Sequence, residues 1–192
     1  MRLFVGIDIE PAIRERISKF VDGVRNFAPD VRWVNPETFH ITLKFLGETN
    51  KAEEIKRALG AVSGSPVTIA FRGTGYFPSP KSARVFWVGM EADANLATLH
   101  NSVNTATQSL GFEGEKGPYH PHLTLARAGS GRPSSMRGDR PNNKFQPLQE
   151  KLSALPHPEF GTMTAHEFFF YESKLSPRGA QYSKIDRYAL GS

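Results

Sequence analysis

The sequence predicts an α+β fold in which helices pack on the outside of antiparallel sheets. Over 192 residues, stretches with apolar residues at helical spacing alternate with shorter stretches rich in β-forming residues. Two regions, 67–90 and 162–189, each hold a pair of strand-like stretches close enough in sequence to form a hairpin. The Gly-x-Gly-x-x-Gly fingerprint of a parallel nucleotide-binding sheet does not occur. Antiparallel pairing is therefore the better interpretation.

The first half of the chain contains three predicted strands and two predicted helices. Residues 3–9 are rich in β-formers, and Pro11 follows them at a position that suits the start of a helix. Apolar residues then recur at helical spacing until Pro29 ends the helix. The remaining elements are strands at 31–34 and 39–46, the second ended by Gly47, and a helix near 52–62.

The second half continues this alternation. Two strands flank a turn rich in proline and serine at 77–81, and a long helical pattern follows them. The segment 129–147 is rich in Gly, Pro, Ser, Asn and Arg, which predicts a mobile loop. The predicted elements are strands at 67–71, 83–90, 122–126, 162–173 and 181–189, and helices at 94–110 and around Leu148, Leu152 and Leu155.

A short motif, His-x-Thr-Leu, occurs twice, each time on a predicted strand. The first copy covers residues 40–43 and the second covers residues 122–125, and each follows a helix in its own half of the chain. This repeat predicts a single bilobal domain over residues 1–192. We expect two pseudo-symmetric antiparallel-sheet lobes, with their helices outside and a central groove between them.

Alternation along the two strands assigns the side chains to faces. Residues i and i+2 of a strand project to the same side, about 7 Å apart. His40 and Thr42 therefore project together, as do His122 and Thr124. The same alternation assigns Lys44 to the histidine face and the aromatic residue after it to the buried apolar face.

Two imidazoles and two hydroxyls facing one groove suit the hydrolysis of a cyclic phosphodiester. The reaction needs a base to take a proton from water and an acid to protonate the departing oxygen, and histidine performs either role near neutral pH. Hydroxyls can donate to the non-bridging phosphate oxygens. A single histidine on a strand is more often structural, so the argument depends on the second copy. The scheme requires no metal.

Composition narrows the classes of function. The absence of cysteine excludes disulfides, thiolate metal sites and cysteine nucleophiles, and fits a cytoplasmic protein. A formal net charge of +5 favours polyanionic partners in a general way. No apolar run approaches the roughly 18 residues that a membrane span needs. The first residues read as a strand and not as a secretory leader, so we expect no membrane association.

The sequence resembles the 2H phosphoesterases, and within them the bacterial and archaeal RNA 2′,3′-cyclic phosphodiesterases, also described as 2′-5′ RNA ligases. The paired His-x-Thr motif is typical of the superfamily. Phe-Leu-Gly-Glu at 45–48 and Ser-x-Leu-Ser-Pro-x-Gly-Ala at 173–180 point to the narrower family. The matching stretches are 2–7, 33–48, 84–89, 121–127 and 171–182.

The resemblance implies a metal-independent hydrolase without a cofactor, acting on RNA or nucleotides that end in a 2′,3′-cyclic phosphate. The product would be a 2′-phosphomonoester, which makes O3′ the leaving group. By position, His40 would be the general acid at O3′ and His122 the general base that activates water. The division of roles between the two is a looser expectation than the pair itself. ATP-independent 2′-5′ ligation would use the same site, with a 5′-hydroxyl replacing water.

The resemblance also implies roles for residues near the histidines. Thr42 and Thr124 would hydrogen-bond the phosphate, and Arg127 would contact it. Phe45 would lie near the nucleoside, although the pattern alone favours a core position for it. The segment 129–147 could contact the RNA strand or be an ordinary solvated loop; its basic residues include Arg132, Arg137, Arg140 and Lys144.

Other assignments remain open at the level of sequence. His120 and His122 form a possible metal pair, but no third ligand stands at a suitable spacing, so we predict no metal site. His100, His157 and His166 are expected to be ordinary surface or capping residues. Alternative functions are a 2H enzyme for 2′,5′-oligonucleotides or ADP-ribose cyclic phosphate, and a non-catalytic module that binds RNA ends. A monomer is the default expectation.

Overall fold

The computed structural model describes residues 1–129 and 142–191. Within these residues the chain forms nine strands and four α-helices. The strands are β1 Arg2–Asp8, β2 Arg32–Trp33, β3 His40–Glu48, β4 Val67–Phe77, β5 Val85–Ala92, β6 Leu123–Arg127, β7 Glu159–Ala165, β8 Glu167–Ser176 and β9 Gly179–Ala189. The helices are α1 Pro11–Val24, α2 Ala52–Gly60, α3 Ala94–Gln108 and α4 Gln146–Ser153.

The strands form two separate antiparallel sheets, which confirms the predicted fold class. One sheet has four strands in the order β3-β1-β8-β9, and the other has five in the order β2-β6-β5-β4-β7. Every pairing between the described strands is antiparallel. Strand β3 continues from the first histidine of the repeat and β6 from the second, so each sheet contains one copy of the motif.

The two sheets are not the two halves of the chain. Strand β2, near the start of the sequence, belongs to the five-stranded sheet, while β8 and β9 return to the four-stranded sheet. The helices do not follow the halves either, because α1 packs against β7 of the five-stranded sheet and α3 contacts both β3 and β4, one strand of each sheet. The two halves of the sequence repeat therefore do not correspond to one sheet each.

Several predicted strand boundaries are wrong, including that of β4, which ends at Phe77 and not at residue 71. The stretch 162–173, read as one strand, is divided at His166 into β7 and β8, which lie in different sheets. Nothing in that run of strand-forming residues signals the break, because the chain changes sheet there without a glycine or proline. Strand β3 also continues beyond Gly47, whose φ of +75° fits a bulge in the pairing with β1.

The helices are amphipathic and bury one face against a core that is continuous between the sheets. In α1 the buried side chains are Ile13, Ile17, Val21 and Val24, at the spacing that the sequence predicts. Full burial of each such side chain contributes about 1.5–3 kcal/mol. No α-helix in residues 1–129 or 142–191 is long and apolar enough to cross a membrane.

Candidate active site

Strands β3 and β6 carry the same irregularity three residues after their histidines. In the pairing of β3 with β1, Val5 faces Lys44 and Gly6 faces Thr42, which leaves Leu43 without a partner. In the pairing of β6 with β5, Phe86 faces Ala126 and Trp87 faces Thr124, which leaves Leu125 without a partner. Each strand therefore has a one-residue bulge at the leucine of the His-x-Thr-Leu motif. Bulges redirect the side chains that follow them and are common beside active sites.

The bulges reverse the face assignment that alternation predicts. Lys44, expected beside His40, is only 2% exposed, and Phe45, expected in the core, is 48% exposed. In β6 the corresponding pair is Ala126, which is buried, and Arg127, which is exposed. Phe45 and Arg127 therefore lie on the same faces as the two histidines, and they occupy equivalent positions in the repeat.

The His40 ring is fixed at both nitrogens. Its Nδ1 lies 2.8 Å from the carbonyl oxygen of Thr38 and therefore carries the proton that donates to it. Its Nε2 lies 3.0 Å from Thr42 Oγ1, which donates to it when the ring is neutral. Phe4 and Tyr182 pack against the ring, with centroid distances of 4.8 and 5.1 Å. Packing and hydrogen bonds thus hold one tautomer and one orientation.

The His122 ring is oriented by the same kind of local hydrogen bond. Its Nδ1 lies 2.9 Å from the carbonyl oxygen of His120, two residues earlier, just as His40 is bonded to the residue two before it. Phe77 packs edge-to-face against the ring at 5.0 Å. The side chain of His120 is exposed, while its backbone carbonyl orients the neighbouring histidine. In the neutral form both rings therefore leave Nε2 unprotonated.

The two histidines and Arg127 belong to or directly precede strands β3 and β6, which contact each other. Burial lowers the pKa of His40 and of His122 below the ordinary value of 6.5. The hydrogen bonds to the carbonyl oxygens of Thr38 and His120 raise the two pKa values, while the positive charge of Arg127 lowers both. The charge of His122 also lowers the pKa of His40. Strands β3 and β6 contact each other, so the sheets meet where the motifs lie.

These shifts predict the pH dependence of turnover. If one histidine must be protonated and the other neutral, kcat/KM falls below the lower pKa and above the higher one. Because both pKa values are lowered in the free enzyme, the maximum of kcat/KM should lie on the acid side of pH 6.5. A bound anionic phosphate raises both pKa values, so the maximum of kcat should lie at higher pH than that of kcat/KM. Steady-state kinetics across this range test both statements; a kcat/KM maximum well above neutrality would contradict them.

A network that the sequence did not reveal holds the bulge of β3. The Tyr119 hydroxyl donates to the carbonyl oxygen of Thr42 at 2.8 Å, and so ties the segment before His122 to the other motif. His100 stacks on the Tyr119 ring at 3.9 Å, and its Nδ1 lies 2.8 Å from the Leu43 carbonyl oxygen. The expectation that His100 is an ordinary surface residue is therefore wrong.

Lys44 completes this network from inside the core. Its Nζ donates to Asn104 Oδ1 and to the carbonyl oxygen of Glu113, both at 2.5 Å. Burial lowers the pKa of Lys44. A lysine directly between Leu43 and Phe45 was the signal available in the sequence. It could not be used, because simple alternation assigned Lys44 to the groove.

The remaining predicted residues divide into two groups. Arg132, Arg137 and Arg140 lie outside the residues that the structure describes. His157 is exposed, and His166 stands at the crossing between β7 and β8. Within residues 1–129 and 142–191, no group of three or more His, Cys, Asp or Glu side chains is arranged to hold a metal ion.

A family model described as LigT-like phosphoesterase matches the chain twice, at residues 7–87 and 88–182. Each match contains one His-x-Thr motif, which agrees with the internal repeat. The chain belongs to the LigT-like phosphoesterase family. Both matches extend beyond the motifs into strands of both sheets, so the family assignment rests on most of the chain.

Relatives of this LigT-like phosphoesterase match over almost the full length. A protein of Archaeoglobus fulgidus named RNA 2′,3′-cyclic phosphodiesterase is 34% identical over 187 residues, covering 96% of this chain and 98% of the relative. One of the same name from Aeropyrum pernix is 37% identical over 173 residues, covering 88% and 92%. The crystal structure of E. coli LigT complexed with 3′-AMP superposes with a TM-score of 0.77 at 26% identity, covering 100% of this chain and 98% of that one.

Proposed function

We propose that this LigT-like phosphoesterase is an RNA 2′,3′-cyclic phosphodiesterase that opens the cyclic phosphate to a 2′-phosphomonoester. The observation that carries the proposal is the matched pair of histidines, each hydrogen-bonded through Nδ1 to the carbonyl oxygen two residues earlier. The positive charge of Arg127 lowers the pKa of both. The relatives named RNA 2′,3′-cyclic phosphodiesterase support the same activity. The alternative substrates and the non-catalytic module are not favoured.

In the proposed reaction His122 is the base and His40 is the acid. The unprotonated Nε2 of His122 takes a proton from water, and the water oxygen forms a bond to phosphorus. The bond from phosphorus to O3′ breaks, and His40 gives its Nε2 proton to O3′. One proton enters at His122 and one leaves at His40, so the pair ends in the opposite protonation state and exchanges protons with solvent before the next cycle.

The hydrogen bonds at Nδ1 suit both roles. A neutral His122 with its proton on Nδ1 presents an acceptor at Nε2, and the carbonyl of His120 stabilises the charge that develops on the ring. A protonated His40 keeps its bond to Thr38 and presents a proton at Nε2. Burial disfavours that protonated form, and the anionic substrate offsets the effect by raising the pKa on binding.

The threonines, Arg127 and Phe45 would bind the rest of the substrate. Thr42 Oγ1, now bonded to His40, can instead donate to a non-bridging phosphate oxygen, and Thr124 holds the equivalent position in the repeat. Arg127 would hold the negative charge of the phosphate, since guanidinium groups bind phosphate through paired hydrogen bonds. The exposed ring of Phe45 gives an apolar surface for the nucleoside.

Product identification tests the activity directly. We expect the enzyme to convert a nucleoside 2′,3′-cyclic monophosphate to the 2′-phosphate in the presence of EDTA, because side chains supply both the acid and the base. Phosphorus NMR distinguishes the 2′-phosphate from the 3′-phosphate. Loss of activity on chelation would reject the mechanism, and exclusive formation of the 3′-phosphate would reject O3′ as the leaving group.

Ligation and the remaining assignments follow from the same site. A 5′-hydroxyl in place of water would attack the same phosphorus and give a 2′-5′ linkage, which an RNA 5′-hydroxyl acceptor added to the assay would reveal.

One chain carries both motifs and Arg127, so a monomer would be competent. The cysteine-free composition makes the cytoplasm the expected compartment.

A further inference from the structure

A cationic cavity of about 350 Å³ lies beside the candidate active site, at the edge where β2 pairs with β6. Its walls include three positively charged side chains, those of Arg32, Arg127 and Lys144, and one carboxylate, that of Asp30. The excess of positive charge in this lining favours an anionic ligand. A cavity of this size can hold a phosphate group together with part of the attached sugar.

The strand pairing sets the two arginines side by side. Arg32 of β2 is the register partner of Arg127 of β6, and directly paired residues project to the same face of a sheet. The next residue, Trp33, packs on Phe86 and donates from Nε1 to the Ala28 carbonyl oxygen at 3.1 Å. These contacts of Trp33 hold strand β2 in place beside Arg32.

Lys144, another lining residue, is held in place by its neighbours in the chain. Its backbone N–H donates to Asn142 Oδ1 at 3.0 Å, and the Asn142 N–H donates to the Lys81 carbonyl oxygen at 3.1 Å. The next residue, Phe145, is fully buried against Tyr76 and Phe86. Arg32 and Lys144 therefore both belong to hydrogen-bonded segments of the fold.

We propose that this cavity binds the phosphodiester immediately 5′ of the nucleotide that carries the cyclic phosphate. The inference rests on the proposed function. Arg127 belongs to both the candidate active site and the cavity. It lines the cavity, and its charge lowers the pKa of both histidines. An RNA strand whose terminal phosphate lies at the histidines carries its next phosphate one nucleotide away. Arg32 and Lys144 offer charge-assisted hydrogen bonds for it.

The experiment compares substrates that differ only in this phosphate. One is a nucleoside 2′,3′-cyclic monophosphate, the second is a dinucleotide with the same cyclic end, and the third is that dinucleotide with a neutral methylphosphonate at the internal linkage. We expect the unmodified enzyme to have the lowest KM for the charged dinucleotide. Arg32→Gln and Lys144→Gln should each raise that KM about tenfold, and raise the other two KM values far less.

Salt dependence gives an independent measurement. A plot of log kcat/KM against log salt for the charged dinucleotide should lose about 0.7 of its slope in each variant, because one phosphate contact is removed. The matched control is Arg57→Gln, an exposed arginine on α2, which removes the same charge away from the β2–β6 edge. It should leave all three KM values unchanged.

Two outcomes overturn the assignment and are distinguishable from failure of the proposed function. Equal KM values for the charged and neutral dinucleotides in the unmodified enzyme would show that the internal charge is not bound. Equal effects of Arg32→Gln and Arg57→Gln would show that the cavity is not used. In both cases the mononucleotide would still be hydrolysed, whereas an enzyme inactive on every substrate would reject the proposed function and the cavity assignment with it.

Discussion

Replacing either histidine by alanine should lower kcat/KM for a nucleoside 2′,3′-cyclic monophosphate by about 10²–10⁴. His40→Ala removes the proposed proton donor to O3′, and His122→Ala removes the proposed base for water. The double variant should be little worse than the poorer single variant, because the two groups act in one concerted transfer and their losses do not add. Initial rates on purified variants at several pH values provide the measurement.

A sulfur-substituted substrate separates the two roles. When sulfur replaces O3′ in the cyclic phosphate, the leaving group is a thiolate with a thiol pKa of about 8.5, and it departs without a proton. His40→Ala should then regain most of its lost rate, whereas His122→Ala should remain slow. The reverse result would exchange the two assignments while keeping the pair.

Control variants test whether the loss of activity in the alanine variants has a structural cause and not a chemical one. His157→Ala replaces an exposed histidine distant in sequence from both motifs and should retain full activity. Since Phe4 and Tyr182 pack on His40, His40→Gln provides a variant that leaves a smaller cavity. Unaltered thermal unfolding together with lost turnover would support a chemical role. Full activity in both His40→Ala and His122→Ala would reject the mechanism.

Arg127→Gln should lower kcat/KM by about 10², the magnitude associated with losing one donor to developing charge. The variant should also change the pH profile in a predictable direction. The charge of Arg127 lowers the pKa of His40 and of His122, so its removal raises both and moves the maximum of kcat/KM to higher pH. A merely structural arginine would not produce that shift.

Arg127→Lys refines this test, because lysine keeps the charge and loses the forked geometry. It should retain the original pH profile and recover only part of the rate, since an ammonium group cannot bind phosphate in the same bidentate way. Arg57→Gln is again the matched control for removal of an exposed arginine. If Arg127→Gln kept both the rate and the pH maximum, Arg127 would have no role at the phosphate.

The two His-x-Thr motifs could be identified from the sequence, whereas the residues that surround them in the fold could not. His40 with Thr42 and His122 with Thr124 share a face because neighbouring residues of one strand decide it. Phe45 was assigned to the site only because of the family resemblance, whereas alternation along the strand assigned it to the core. The bulge at Leu43 has no glycine or proline to announce it, and depends on contacts from His100 that are distant in sequence.

The same limit explains the errors in the fold. Helix α1 was predicted well because its apolar stripe and its proline are local features. The division of 162–173 at His166 was missed, because both sides of the break are good strand sequence and only the pairing partners differ. The packing of α1 on β7 and of α3 on strands of both sheets was missed for a similar reason, since amphipathicity shows that a helix packs but not against which strands.

Short-range periodicity and residue chemistry encode the α+β class, the repeat and the two His-x-Thr pairs, so all three could be predicted before the structure was known. The tertiary structure alone decided that paired bulges turn Phe45 and Arg127 to the histidine faces, that Tyr119 links the two motifs, and that Arg32 stands beside Arg127. These features arise from hydrogen bonds and packing between residues far apart in the chain. Local pattern carries no information about such partners until the chain has folded.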